Sequence, residues 1–312
     1  MRVVISFYTM GMGRTIYDRS IVITGASSGI GRATALACAH AGMDVVLNAR
    51  RADRLEEVAE QIRRAGRKAI AVIGDCTDED VMHEVLDRAE RDTAGLYAVF
   101  ANAGVGMNRA VVDMTMSELR ELYDINFFSS AGLLHGAARR LYAAGSSGHL
   151  MMCSSCLSKF GIGRHGAYSG TKAAQNHLCR AMRHELHGTG IEVASVHPIT
   201  TRTEFFEVSD ARSNGGGGHS VGGMTAMPGM FVQSPDRVAR AVVRCLRRPR
   251  PEVWTSWTMR MASAFITAFP SSLDIALRFG TIQRMAGETE ATVAGHDDGA
   301  DVNPAHAPRS GR

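Results

Sequence analysis

A chain of 312 residues, 45% hydrophobic and 21% charged, has the composition of a soluble globular protein and can bury a full core in one α/β domain or two small ones. Its net charge of +4 is small and dispersed, which argues against a nucleic-acid-binding surface. The arginine-rich pieces, Arg63-Arg64 with Arg67-Lys68 and Arg244 to Arg250, fall near helix ends, where a solvated cationic face is the ordinary explanation.

The first 18 residues form a poorly placed extension. Their short apolar run is interrupted by Gly11, Gly13 and Arg14, which makes a poor signal peptide, and Met10 or Met12 is a candidate start. From Ser20 the organisation is clear. Ile21-Val-Ile-Thr24 reads as a strand, Gly25-Ala-Ser-Ser-Gly29-Ile-Gly31 as a glycine loop, and Arg32 to Ala41 as a helix. Strand, glycine loop and helix together make a pyrophosphate cradle. Gly25 and Gly29 allow a tight turn and close approach, Ser27 and Ser28 add hydroxyl donors, and the helix N-terminus offers unpaired N–H groups.

Met43 to Leu47 reads as a second strand, ending in Asn48-Ala-Arg50-Arg51. The end of this strand faces the adenine ribose, where an acid would select NAD and an arginine the 2′-phosphate of NADP. Two arginines and no acid stand there, so NADP is expected over NAD, with Arg50 the better phosphate ligand. Asp53 reads as a helix N-cap. The alternation continues through a strand at Ala69 to Gly74 ending in Asp75-Cys76, an amphipathic helix at Val81 to Arg91, and a strand at Leu96 to Ala101 ending in Asn102-Ala103-Gly104. Such βα units imply a doubly wound parallel sheet, a Rossmann fold of three α/β/α layers, with ligands at the carboxyl ends of the strands. Glu118 to His135 reads as a long helix, in which Asn126 is either a buried, satisfied amide or a break in the helix.

His149 to Cys153 reads as a buried strand leading to Ser155, followed by Tyr168-Ser-Gly-Thr-Lys172. A tyrosine and a lysine four apart share one helix face, so an ammonium can sit beside a phenol whose free pKa is about 10 and favour its ionisation. Tyr-x-x-x-Lys is weak alone; here it sits where the strand ends gather. The six cysteines, at 38, 76, 153, 156, 179 and 245, follow no framework of spacings and read as reduced thiols of a cytoplasmic protein. Cys153 and Cys156 have metal or redox spacing but no second pair, and structural filler is favoured; no metal-ligand cluster is present.

These motifs, with Pro198 through Thr203, cover roughly residues 19 to 250, and the chain resembles the single-domain short-chain dehydrogenases/reductases. The resemblance implies Tyr168 as proton donor or acceptor, Lys172 binding the nicotinamide ribose and lowering the tyrosine pKa, Ser155 orienting the carbonyl, and Asn126 holding a water that links the lysine to solvent. It further implies cofactor contacts from Gly25, Ser27, Ser28, Gly29, Ile30, Asp75, Cys76, Asn102, Ala103, Gly104, Pro198, Thr201 and Thr203. Homodimers or homotetramers, paired through the helices around Asn126 and Tyr168, are the family habit. One departure is Ile199, where the family usually has glycine after Pro198; a β-branched side chain resists positive φ and adds bulk beside the nicotinamide.

Residues 204–234, with Phe205, Phe206 and a glycine run from Gly215, resemble the family's substrate lid and point to an apolar substrate. Ser234-Pro235-Asp236 begins a helix through Leu246, Glu252 to Trp254 reads as a last strand, and 19–255 closes the expected domain. Residues 256–286 form an apolar extension, broken at Pro270, which is expected to cover the lid or a partner subunit in preference to resting on a membrane surface. Residues 287–312 read as a disordered tail. His165 and His197 are expected to line the pocket without catalysing. The expectation is an NADP(H)-dependent oxidoreductase acting on a carbonyl or secondary alcohol; the alternatives are a 3-oxoacyl reductase and a non-catalytic dinucleotide-binding protein on the same fold.

Overall fold

The computed structural model describes residues 13–205 and 232–279. The chain runs β1 (Ser20–Thr24), α1 (Gly29–His40), β2 (Asp44–Ala49), α2 (Ala52–Arg64), β3 (Ala69–Ile73), α3 (Glu79–Asp92) and β4 (Ala98–Ala101). There follow α4 (Met116–Tyr123), a π turn (Asp124–Phe128), α5 (Ser129–Ala143), β5 (Gly148–Cys153), α6 (Gly166–Glu185) and β6 (Ile191–His197). Beyond the undescribed stretch 206–231 come α7 (Pro235–Arg247), β7 (Glu252–Trp254), α8 (Trp257–Ala268) and α9 (Ser271–Phe279). The expected lid falls almost wholly in that stretch, and the early N-terminal residues and the tail likewise lie outside the described residues.

The strands form one sheet of order β3-β2-β1-β4-β5-β6-β7, every pairing parallel. Side chains alternate between its faces with the period of two that a strand imposes. Ile21, Ile23, Val45, Leu47, Phe100 and Met151 pack on one side with α1, α2 and α7. Val22, Val46, Val99, Leu150 and Met152 pack on the other with α3, α5 and α6. Both faces are therefore dry, which is why these strands read as continuous apolar runs. The sheet is doubly wound and three-layered, a Rossmann architecture. The chain reverses direction across the sheet between β1 and β4, and the crevice for ligands opens at their carboxyl ends.

Three local expectations are corrected. The first helix starts at Gly29 instead of Arg32, so the end of the glycine loop is already its first turn. Asp53 is not the N-cap of α2: Arg51 holds that place and Asp53 lies in the first turn, where a carboxylate still favours the helix dipole. The single long helix expected over Glu118 to His135 is interrupted by the π turn.

The chain divides into two compact units, Met1–Ala268 and Phe269–Arg312. The first contains α8, which exposes Trp257 (74%) and Met261 (57%) one turn apart. No helix among the described residues is long and apolar enough to cross a membrane.

Candidate active site

The end of β1 and the end of β4 are joined by side-chain bonds that set the crevice. Thr24 Oγ1 accepts from the backbone N–H groups of Asn102 and Ala103, both at 3.1 Å, and Asn102 Nδ2 donates to Thr24 O at 3.0 Å. The glycine loop fits against this joint with no space for a side chain. Gly25 has φ 65, and a Cβ there would lie 3.0 Å from Ala103 Cα; a Cβ on Gly31 would lie 2.2 Å from Gly25 O. A Cβ on Gly29 would come within 2.8 Å of Thr203 Cγ2, so Thr203 rests on the loop. Ser28, at the N-cap of α1, makes no side-chain capping bond. The first turn thus keeps its N–H groups for an outside acceptor, which is what a pyrophosphate requires. The cradle fits a dinucleotide. Ile30, the next residue, packs against the core on the α1 side.

The arginines after β2 separate in direction. Arg50 Nη1 lies 3.5 Å from Asp75 Oδ2, and Asp75 Oδ1 also accepts from Thr77 N at 3.0 Å and Thr77 Oγ1 at 2.9 Å. Burial alone raises the Asp75 carboxyl, but the Thr77 bonds and Arg50 outweigh it and hold it below its ordinary value. Cys76, beside it, is raised by burial and stays a thiol. Arg51 turns to the glycine loop instead, donating to Ser27 Oγ at 3.2 Å and to Glu204 Oε2 at 2.7 Å. Arg54 also pairs with Glu204, whose carboxyl the two guanidiniums hold below its usual range. This anion-holding cluster beside Ser27 was not foreseen; the sequence singled out Arg50, and nothing in it fixes which arginine turns inward.

The side chains expected to react meet at the end of β5. Ser154 Oγ donates to Lys172 O at 2.9 Å and Lys172 Nζ donates to Cys153 O at 2.8 Å, which ties α6 to the strand end from both directions. Lys172 is 4% exposed, and burial lowers its ammonium to about 8. Its Nζ lies 5.6 Å from the centroid of the Tyr168 ring. Ser155 caps a short turn, accepting from Leu157 N at 3.1 Å, and its side chain is among the groups that favour ionisation of Tyr168. Burial pushes the Tyr168 phenol up, and the influence of Ser155 only partly opposes it. In the chain alone the phenol is therefore raised and not depressed, with burial the largest cause.

Asn126 is fully buried in the π turn. Its Oδ1 accepts from Val105 N at 2.8 Å, and its Nδ2 donates to Val105 O at 2.9 Å and Thr171 Oγ1 at 3.2 Å. It is both a satisfied amide and the place where the helix departs from regular geometry. Gln175, which the sequence did not mark, donates from Nε2 to Asn126 O at 2.5 Å and accepts at Oε1 from Lys172 Nζ at 3.2 Å. Gln175 thus joins the backbone of Asn126 to the lysine through one side chain. A Cβ on Gly104 would lie 3.1 Å from Asn126 Oδ1 and 3.5 Å from Lys172 Nζ, so the loop after β4 lies directly against this cluster.

After β6, Pro198 O accepts from Cys156 N at 3.1 Å, and Thr201 Oγ1 donates to Ile199 O at 2.8 Å. Gln233 pins the segment from outside, its backbone N–H donating to Thr200 O at 2.9 Å. Ile199 is 8% exposed and its φ is not positive, so the backbone strain expected of a branched side chain does not arise. Phe205 stands edge-on to Tyr168, ring centroids 5.8 Å apart. His165 is partly buried, its Nδ1 3.3 Å from Met107 O. His197 is fully buried, stacked on Trp254 at 4.5 Å, and lowered to about 4 by burial; it lies beneath the site and does not line the pocket. No metal-binding group is present among the described residues.

The family model described as short chain dehydrogenase matches residues 19–214. An uncharacterized oxidoreductase of Listeria innocua is 32% identical over 240 residues, covering 75% of this chain and 93% of its own. A short chain dehydrogenase/reductase from Burkholderia phymatum, solved in complex with NAD, superposes with TM-score 0.72 at 20% identity, over 85% of this chain and 96% of its own. A short-chain dehydrogenase from Sphingobium yanoikuyae, solved in complex with NADPH, superposes with TM-score 0.67 at 24% identity, over 94% of this chain and 100% of its own. At these identities the two solved structures speak to the fold.

Proposed function

The chain belongs to the short chain dehydrogenase family, and from that membership we propose that it is an NADP(H)-dependent oxidoreductase acting on a carbonyl or secondary alcohol, with Tyr168 as general acid/base. The observation that carries the reading is the convergence of Ser155, Tyr168 and Lys172 at the end of β5, with the Lys172 ammonium 5.6 Å from the centroid of the Tyr168 ring. The cofactor supplies the hydride and, when oxidised, a positive charge beside the site. Ser155 orients the substrate oxygen and Tyr168 exchanges a proton with it. Lys172 holds its charge close to the phenol, and Asn126 ties the loop after β4 to α6 through its two bonds to Val105 and its bond to Thr171 Oγ1.

NADP is favoured over NAD by the cluster of Arg51, Arg54 and Ser27. A carboxylate already held by two guanidiniums marks a place where a 2′-phosphate finds matched donors. Arg50 stands at the rim, tied to Asp75. Thr201, Thr203, Pro198 and the loop Asn102-Ala103-Gly104 complete the proposed cofactor wall. Phe205 against Tyr168 favours an apolar substrate. Exposed Phe128 (59%) and Tyr142 (65%), on the π turn and α5, fit pairing of subunits through these helices as a homodimer or homotetramer, and the exposed stripe of α8 fits a partner subunit in the same way.

The test is oxidation of NADPH and NADH by purified protein against a panel of aldehydes, cyclic ketones, steroids and 3-oxoacyl esters, read from the absorbance of the reduced nicotinamide. Turnover preferring NADPH, and falling by roughly 10²- to 10⁴-fold in Tyr168→Phe, is the expected result. Full activity in Tyr168→Phe would overturn the assignment of the acid/base.

A further inference from the structure

Lys172 and Gln175 are three apart on α6 and so share a face of the helix. Gln175 is fully buried, a place where an amide is costly unless both its ends are paired. Both are. Nε2 donates to Asn126 O at 2.5 Å and Ser130 Oγ at 3.3 Å, while Oε1 accepts from Lys172 Nζ at 3.2 Å. The orientation of the amide is fixed by chemistry, since an ammonium only donates and a carbonyl only accepts. The carbonyl it meets belongs to the π turn, where the widened backbone departs from the regular i to i+4 ladder and turns an oxygen toward α6.

We propose that Gln175 is a positioning residue for the reaction, clamping the Lys172 ammonium between Cys153 O and the amide so that its charge is held at one place beside Tyr168. This rests on the acid/base role given above to Tyr168. A lysine has a long stem with many rotamers, and two acceptors from different elements remove that freedom. The Oε1 contact also favours the charged form of a lysine that burial works to neutralise. The titratable groups set against Lys172 are Tyr168 on its own helix and Cys153 at the end of β5. Burial pushes the Cys153 thiol up to about 11, so it contributes no charge at neutral pH, and the neutral amide is the partner that tunes the ammonium.

The whole chain has three lysines, at 68, 159 and 172, so the Lys172 titration can be followed directly by carbon NMR of lysine-labelled protein, its resonance assigned by loss in Lys172→Met. Gln175→Met keeps length and volume but removes the acceptor; the Lys172 midpoint is expected to fall by about one pH unit, with kcat at neutral pH down about tenfold and a narrowed pH profile. Gln175→Glu keeps an oxygen and adds charge, and the midpoint is expected to rise. Ser130→Ala, which disturbs the same buried cluster without touching Oε1, leaves it in place. A carboxylate beside the ammonium raises its midpoint in any case, so the fall in Gln175→Met beside an unmoved Ser130→Ala is the result that a merely structural role does not give. An unmoved midpoint in Gln175→Met, or in Gln175→Glu should the first variant not fold, overturns the proposal. The titration needs no substrate, so failure of this inference is separable from failure of the reductase reading, which the activity of Tyr168→Phe decides.

Discussion

The imidazole Nδ1 of His197 lies 3.0 Å from the backbone carbonyl oxygen of Ser155, and its Nε2 lies 2.9 Å from Ser195 Oγ. A carbonyl only accepts, so Nδ1 carries the proton and Nε2 is the acceptor. The ring is a fixed mount beneath the turn that presents the Ser155 hydroxyl. His197→Phe preserves the stack on Trp254 and strands the carbonyl. Stability is expected to fall by about 1–3 kcal/mol, measured by urea denaturation, and kcat to drop several-fold with little change in KM, since Ser155 is loosened without being removed.

Acid sensitivity follows from the buried histidines. Burial lowers His197 from 6.5 to about 4 and His149 from 6.5 to about 3, so between these values and about 6.5 the unfolded chain binds more protons than the folded one. Stability therefore falls as pH drops below about 6.5, and the loss is complete only below the folded values. Glu252, lowered from 4.5 to about 2 despite the opposing effect of burial, through its bonds to Lys159 and Trp254, adds stability above about 4.5 that is lost toward pH 2. Urea midpoints taken from about pH 7.5 down to about pH 5 should decline from near 6.5, and less steeply in His197→Phe. A flat profile would contradict the burial argument.

Cofactor preference should respond to Arg51 more than to Arg50. Arg51 reaches Ser27 on the glycine loop at 3.2 Å, whereas Arg50 is drawn to Asp75 at 3.5 Å. Arg51→Ala is expected to raise KM for NADPH by about 10- to 100-fold and leave that for NADH nearly unchanged; Arg50→Ala should do less. Equal effects from the two changes would assign the phosphate to the rim instead of the loop.

Two glycine substitutions should have opposite signs. Gly31→Ala puts a methyl 2.2 Å from Gly25 O, a backbone atom, while a Cβ on Gly132 in α5 meets nothing within 4 Å. The first should destabilise by about 1–3 kcal/mol and abolish dinucleotide binding by opening the loop. The second should be neutral or stabilising by up to about 1 kcal/mol. Thermal unfolding with and without NADPH separates them.

Much of the fold was legible because a parallel sheet with both faces covered leaves apolar runs such as Ile21-Val-Ile and Leu150-Met-Met in the sequence. The glycine loop, Ser155, Tyr168 and Lys172 were legible as types and spacings, and the structure brings them to the carboxyl ends of the strands. The π turn was not: an asparagine among apolar neighbours marks position 126 without saying whether the helix yields there. Gln175 was invisible for the same reason, since its partner carbonyl is 49 residues away and exists only because that turn widens. The direction of the Tyr168 shift could not be read from the Lys172 spacing either, because burial is set by the whole crevice and not by one helix face. The sequence singled out Arg50 over Arg51 because both follow β2 and nothing in the spacing says which guanidinium turns toward Ser27.

The pairing of β1 with both β2 and β4 has a kinetic consequence. Ile21 lies opposite Val45 on one side and Ala98 on the other, and the bond that locks the crevice, Asn102 N to Thr24 Oγ1, spans 78 residues. Closing that roughly threefold longer loop costs about 1 kcal/mol more than closing the first, and long-range parallel pairing is slow to form. Collapse of β1, β2 and β3 is thus expected to precede arrival of β4, an order that φ-values in β1 and β4 would check, with the dinucleotide crevice assembled late. A ligand that binds only the finished crevice then acts as a brake on unfolding, slowing the exit from a state whose entry it did nothing to accelerate.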